Sequence, residues 1–136
     1  MGKPAEVSNA PPRVSVLNKD IHSWNGATLP AYPAGQPEIT ILRIKIPPGT
    51  RLDMHSHPVI NAGVLLSGQL TVVSVHGERL HLRAGDSLIE LVDTLHYGIN
   101  DGAVPADIIV VYAGVVGKPI TIVQPEPGAT VAPPSY

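Results

Sequence analysis

The sequence contains no cysteine and no phenylalanine, and it holds one tryptophan and four tyrosines in 136 residues. Without cysteine there is no disulfide, no thiolate nucleophile and no Cys-ligated zinc, and no clue to redox compartment. Without phenylalanine, any core must be filled by aliphatic side chains. Charge of either sign is scarce: nine Lys and Arg stand against eleven Asp and Glu, a net charge of −2. With no basic cluster, neither nucleic acid nor an acidic membrane surface is an expected partner. No apolar run approaches the length of a transmembrane helix. The opening, MGKPAEVSNAPPR, lacks the apolar stretch of a signal peptide. It is equally compatible with a leader already removed, so cytoplasm and periplasm both stay open. Gly2 has no Ser or Thr at the later position that myristoylation needs.

What the chain does have is Val, Ile, Leu and Thr, together with 13 Gly and 15 Pro. That composition suits many short strands joined by tight turns. Its length fits one domain that buries a core unaided. Residues 1–13 read as an N-terminal arm, 14–123 as a β-barrel domain and 124–136 as a Pro-rich tail. RVSVL (13–17) alternates as a short strand. The Pro- and Gly-rich loop after it carries Trp24 and Tyr32, expected to plug one end of the core.

EITILRIKI (38–46) is apolar on both faces, which predicts burial on both sides or pairing across an interface. Further strands are expected at RLDMHSH, AGVLLSG, QLTVVSV, SLIEL, around LHYGI, at DIIVVYAG and at ITIV, with a hairpin turning at Gly77. About ten strands with no helical periodicity predict an all-β sandwich or barrel.

Two histidines, His55 and His57, sit one residue apart. On a strand, residues i and i+2 share a face, so both rings can meet one ion. Taken alone, the pair is equally compatible with two solvent-facing side chains. The wider spacing is more specific. Gly49 is followed by five residues, His55-Ser56-His57, three residues, Asn61, six residues and Gly68; later come Gly85, His96 and, four residues on, Asn100.

This arrangement resembles the two motifs of the cupin superfamily over about residues 39–114, and the short stretch between the motifs is like that of small single-domain bacterial cupins. The resemblance implies a single-domain jelly-roll (double-stranded β-helix) barrel, often dimeric, so a homodimer is expected. It further implies a divalent metal inside one mouth, with His55, His57 and His96 as ligands. Iron, manganese, nickel, copper and zinc are not distinguished. Asn100 matches the family asparagine, for which a structural hydrogen-bonding role is expected.

Two positions depart from the pattern. The acid of the first motif falls on Asn61, a neutral and weaker donor, which is either a fourth ligand or a group orienting bound water. The Pro-x-Gly of the second motif falls on Leu91-Val92-Asp93, a change to a turn. An acid from elsewhere substitutes only if it faces inward. Glu90 is one candidate, as fourth ligand or general base (the catalytic residue of this reading), and is otherwise a solvated edge carboxylate. Asp53 shares parity with His55 and His57, and is either near the site or a rim charge.

His22, His76 and His81 read as surface residues. Tyr97 is expected to point away from His96, and Tyr112 to be core with a wetted hydroxyl. The cavity lining is expected to be apolar, from Ile44, Leu65, Val72 and Ile109 or their neighbours. Family members include dioxygenases, isomerases, decarboxylases and lyases, as well as storage and sugar-binding proteins. The resemblance therefore implies a metal-dependent enzyme acting on a small molecule or, alternatively, a non-catalytic binding or sensing cupin.

Overall fold

The computed structural model describes residues 9–124. Ten strands follow in chain order: β1 (Pro37–Ile46), β2 (Thr50–Arg51), β3 (His55–Ser56), β4 (Ile60–Ser67), β5 (Gln69–Ser74), β6 (Arg79–Arg83), β7 (Ser87–Ile89), β8 (His96–Asn100), β9 (Ala106–Val115) and β10 (Ile122–Val123). They form an all-β jelly roll of two antiparallel sheets. One sheet runs β1-β9-β4-β7; the other runs β10-β3-β8-β5-β6, with β2 also paired to β8. Among the described residues no helix is long and apolar enough to cross a membrane.

The β-branched content of β9, ADIIVVYAGV, suits its central place between β1 and β4. Alternation along each strand sends one set of side chains between the sheets. There Ile46, Leu65, Leu70, Val72, Leu82, Leu88, Ile108, Val110 and Tyr112 pack into one cluster. Burial of each large aliphatic side chain is worth about 1.5–3 kcal/mol, so this cluster carries the fold without an aromatic-rich core.

Several turns behave as the spacing predicts. Gly49, Gly68 and Gly85 all have positive φ, at 73°, 77° and 93°. Gly77 closes the β5–β6 hairpin with φ 84°. Asp93 stands where the family pattern has glycine and adopts φ 54°, the one positive-φ non-glycine among the described residues. Aspartate tolerates this region better than most residues, so the turn keeps its shape without the glycine.

Asn100 is fully buried. Its Nδ2 donates to the carbonyls of Ile46 and Val104 at 2.9 Å each, and its Oδ1 accepts from Gly102 N–H at 3.0 Å. It ties β8 to the end of β1 and to the turn before β9.

Four expectations need correction. RVSVL is not a strand: it pairs with nothing in a ladder, and Val14 and Val16 are 89% and 73% exposed. RLDMHSH is not one strand but two short pairings, β2 and β3, separated by Leu52–Met54. Within one chain β1 is not buried on both faces, which leaves the reading that pairs it across an interface. It is an edge strand whose even positions turn inward, while Ile39 and Ile41 lie exposed on the outer face beside Val111. Tyr32 is exposed and plugs nothing; Trp24 alone of the pair packs against the core.

Candidate metal centre

Strand pairing brings the three histidines together. His55 on β3 is the direct partner of His96 on β8, and His57 follows two residues after His55 on the same face. The ring centroids are 4.9 Å apart for His55–His57, 4.5 Å for His55–His96 and 5.0 Å for His57–His96. One nitrogen from each ring falls in a group whose members all lie within 4.8 Å of one another. His57 and His96 are buried and His55 half-buried.

The other ring nitrogens settle the tautomers. His55 Nδ1 is 2.7 Å from the Asp53 carbonyl, His57 Nδ1 2.9 Å from that of Ile120, and His96 Nδ1 2.8 Å from that of Thr94. A carbonyl can only accept, so each Nδ1 carries the proton and donates it. Each Nε2 is thereby left with a lone pair, the arrangement that metal-binding imidazoles adopt when a backbone carbonyl orients them.

Burial pushes the His57 imidazolium pKa down to about 3, and the charges of His96 and His55 lower it further. Desolvation likewise lowers His55, in part offset by its hydrogen bond to Asp53. The sign follows directly. The fold prefers these two rings neutral, so their contribution to stability is complete above the ordinary imidazole pKa of 6.5 and is lost as pH falls from there, down to about 3 for His57. In chelator-treated protein, the guanidinium unfolding midpoint is therefore expected to drop steadily between pH 7 and pH 4.5, by up to about 1.4 kcal/mol of stability per pH unit for each such ring. A midpoint flat across that window would show the rings to be freely hydrated.

Two buried polar atoms among the described residues have no hydrogen-bond partner: His96 Nε2 and Asn61 Oδ1. Both residues line one small interior cavity of about 60 Å³. Asn61, on β4, spends its Nδ2 on the Val59 carbonyl at 3.0 Å, and only the oxygen remains. A buried acceptor lone pair left unpaired costs about 1–3 kcal/mol. A cation satisfies both acceptors at once, and the donor set of three imidazole nitrogens and an amide oxygen suits a divalent ion.

Glu90 also lines this cavity rather than an exposed edge. Its Oε1 accepts from Trp24 Nε1–H at 2.8 Å and from Leu91 N–H at 3.0 Å, while Oε2 lies 3.6 Å from His96 Nε2. Trp24 reaches it because residues 21–29 fold back on themselves and dock on β7. Trp24 N–H donates to the Ile89 carbonyl at 2.9 Å, and Ser23 Oγ–H to the Glu90 carbonyl at 2.9 Å. The Trp24–Glu90 contact is absent from the sequence reading. Its one available signal was that a lone tryptophan near the core must find an acceptor for its N–H.

The remaining walls are apolar: Ile44, Leu52, Val72, Ile108 and Val110 among them. Ile44 and Val72 stand where expected. Leu65 is core but away from the cavity, and Ile109 faces outward, its neighbours Ile108 and Val110 taking the lining position. Tyr112 lines the cavity with its ring 5.3 Å from that of His57. Burial, and then the Glu90 charge, raise its phenol pKa to about 12, so the hydroxyl keeps its proton. Asp53 is exposed and contributes only its carbonyl. His76 and His81 are exposed, and His22 pairs with Asp20 on the N-terminal loop. Tyr97 faces away from His96, with the Arg51 guanidinium 3.8 Å from its ring centre.

A jelly roll with three histidines turned into its interior, close enough together to hold one metal ion, defines a class, the small β-barrels with a histidine cluster in one mouth. The model of the cupin domain matches residues 42–112, just over half the chain, and the chain belongs to that family. No curated protein matches the sequence. Among solved structures, it is similar to the DMSP lyase DddQ of Ruegeria pomeroyi DSS-3, with 16% identity, 63% of this chain and 43% of that one covered, and a TM-score of 0.56. It is similar also to an oxalate decarboxylase–formate complex from Lactobacillus farciminis, with 21% identity, 63% and 26% coverage and a TM-score of 0.56. An oxalate oxidase bound to glycolate gives 20% identity, 62% and 45% coverage and a TM-score of 0.53. These likenesses establish the fold. The chain spans less than half the length of each.

Proposed function

We propose that this protein is a metal-dependent enzyme acting on a small organic molecule inside the barrel. The observation that supports it most is the set of three imidazoles with every Nδ1–H tied to a backbone carbonyl and every Nε2 lone pair left for an ion. His55, His57 and His96 would hold a divalent ion, with Asn61 Oδ1 as the further neutral donor. When bound, such an ion supplies a Lewis acid for oxygen ligands and, where redox-active, an electron source for dioxygen.

The chain's own groups supply the rest. Among the described residues Glu90 is the one acid lining the cavity, and its carboxylate would serve there as the anionic donor to the ion or as the proton acceptor for a bound molecule. Tyr112 lines the same space as a phenol that stays protonated. The aliphatic walls exclude water and offer no charged partner for a large polar substrate. A volume of about 60 Å³ holds only a few water molecules, so the reacting part of the substrate is small. It would present two oxygens, as a carboxylate, keto-enol or diol does.

A non-catalytic binding cupin is the second reading, favoured by the neutral Asn61 where the family motif carries its acid. The test takes chelator-stripped protein reconstituted with one divalent ion at a time, followed by metal analysis and a turnover screen with small carboxylates and diols. One ion per chain with turnover is expected. No retained ion would sink the metal centre, while an ion held firmly with no turnover would favour the binding reading.

A homodimer belongs to the same proposal, because Ile39, Ile41 and Val111 leave an apolar stretch on the outer face. Light scattering of the same sample is expected to give twice the chain mass. A monomer mass would remove the dimer alone.

A further inference from the structure

We propose that the carboxylate of this metal site has moved one strand sideways, from position 61 on β4 to Glu90, the residue that follows β7. This rests on the reading of the histidine triad as a metal centre and assigns the charge that the triad itself lacks. β4 and β7 pair antiparallel with Ala62 opposite Ile89 and Gly63 opposite Leu88. The next pair in that register is Asn61 with Glu90, and Glu90 N–H donates to the Asn61 carbonyl at 3.0 Å. Directly opposed residues in such a ladder project to the same face. Both side chains are buried and both line the cavity. A carboxylate at 90 therefore reaches the space that a carboxylate at 61 would reach, from the adjacent strand.

Three further observations fit this exchange. Both hydrogen bonds received by the Glu90 carboxylate fall on Oε1, from Trp24 Nε1–H and Leu91 N–H. They fix the plane of the group and leave Oε2 turned to His96 Nε2 at 3.6 Å. Two donors sharing one ion at about 2.1 Å stand roughly 3–3.5 Å apart, so the spacing is close to that of neighbouring donors.

Among the described residues no lysine or arginine lines the cavity. A buried carboxylate without a cationic partner is costly, and a divalent ion is the counter-charge that this geometry accommodates. Finally, Asn61 Oδ1 has no partner while its Nδ2 is engaged, as expected of a neutral group that shares a pocket with an anion and offers the ion its oxygen. Trp24 is then a positioning residue, acting on the ion only through Glu90.

The test compares Co(II) binding by calorimetry and by the visible absorption of the bound ion, in chelator-stripped wild type, Glu90→Gln, Asn61→Glu/Glu90→Gln and Trp24→Phe, each with a circular dichroism melt. Glu90→Gln keeps the shape and removes the charge, and a 10- to 100-fold loss of affinity with an altered cobalt spectrum is expected. The double variant, with the acid returned to position 61, should recover most of that loss. Trp24→Phe should lose affinity by a smaller factor and recover nothing when Asn61→Glu is absent.

If wild type binds Co(II) and Glu90→Gln binds it equally, the exchange is overturned while the metal centre stands. If wild type binds no Co(II), the metal centre falls and the exchange with it. A double variant as weak as Glu90→Gln would refute the equivalence of the two positions. Should Glu90→Gln fail to fold, Asn61→Glu in the otherwise native chain carries the test. Two opposed buried carboxylates must then tighten Co(II) binding and lower the melting temperature of the metal-free protein, and unchanged values of both would overturn the proposal.

Discussion

Replacing His96 with alanine is expected to lower divalent-ion affinity by a factor on the order of 100 or more while leaving the β-rich circular dichroism intact. His96 faces Glu90 as well as the other two imidazoles: its ring centroid lies 4.5 Å from that of His55 and 5.0 Å from that of His57, and its Nε2 lies 3.6 Å from Glu90 Oε2. Its Nε2 is a buried lone pair without a partner. Removing that atom takes away a ligand and also relieves an unpaired polar group, so the metal-free fold loses mainly packing and the single Nδ1–H bond to Thr94. His57→Ala should cost the same affinity and more stability, because His57 Nδ1 also holds the Ile120 carbonyl and approaches Thr121 Oγ at 3.1 Å. Equilibrium dialysis with one ion, beside a thermal melt of the stripped protein, separates the two effects. An affinity within a few-fold of wild type in His96→Ala would mean that the three rings do not share an ion.

The second large effect falls on the fold. Gly68, between β4 and β5, is where the chain passes from one sheet to the other. Its φ is +77°, and a Cβ there would lie 2.4 Å from the Pro105 carbonyl oxygen and 3.0 Å from Ala106 Cα. Both are backbone, so relief requires moving the start of β9 itself. A left-handed conformation costs a side chain about 1 kcal/mol, and forced overpacking adds typically 1–3 kcal/mol. Gly68→Ala should therefore destabilise by about 3 kcal/mol and lower the melting temperature by roughly 10 °C. Gly77→Ala is the control: φ is +84° but nothing lies within 4 Å of the added carbon, so only the conformational cost of about 1 kcal/mol remains. Equal losses in the two variants would remove the steric half of this account.

Much of the architecture was legible because glycines and histidines at fixed intervals are read locally. Gly49, Gly68 and Gly85 sit at turns that need positive φ, and a turn is a property of a few consecutive residues. RVSVL misled for the complementary reason. Alternation is compatible with a strand but does not supply a partner, and this segment has no ladder to join. The histidine cluster was legible from spacing, since parity joins His55 to His57 and the resemblance adds His96.

Glu90 was a candidate in the sequence, but the face it takes was not legible. Parity along SLIEL separates two faces without saying which is inside; that depends on the register of β7 against β4, a pairing between distant segments. The hydrogen bond that orients Glu90 spans 66 residues, from Trp24. For the same lack of an absolute face, the β9 lining was placed only at Ile109 or its neighbours, and the neighbours Ile108 and Val110 take the position.

The protein has a single tryptophan, and its indole nitrogen rests against the carboxylate beside the histidine cluster. All ultraviolet emission excited at the red edge of the indole band therefore originates a few ångströms from the place where chemistry would occur. The molecule comes with its own optical probe, unlabelled and free of background from any second indole. Quenching by a paramagnetic ion, or a colour shift when a small molecule displaces water, can be followed in a stopped-flow cuvette before any reaction has been identified.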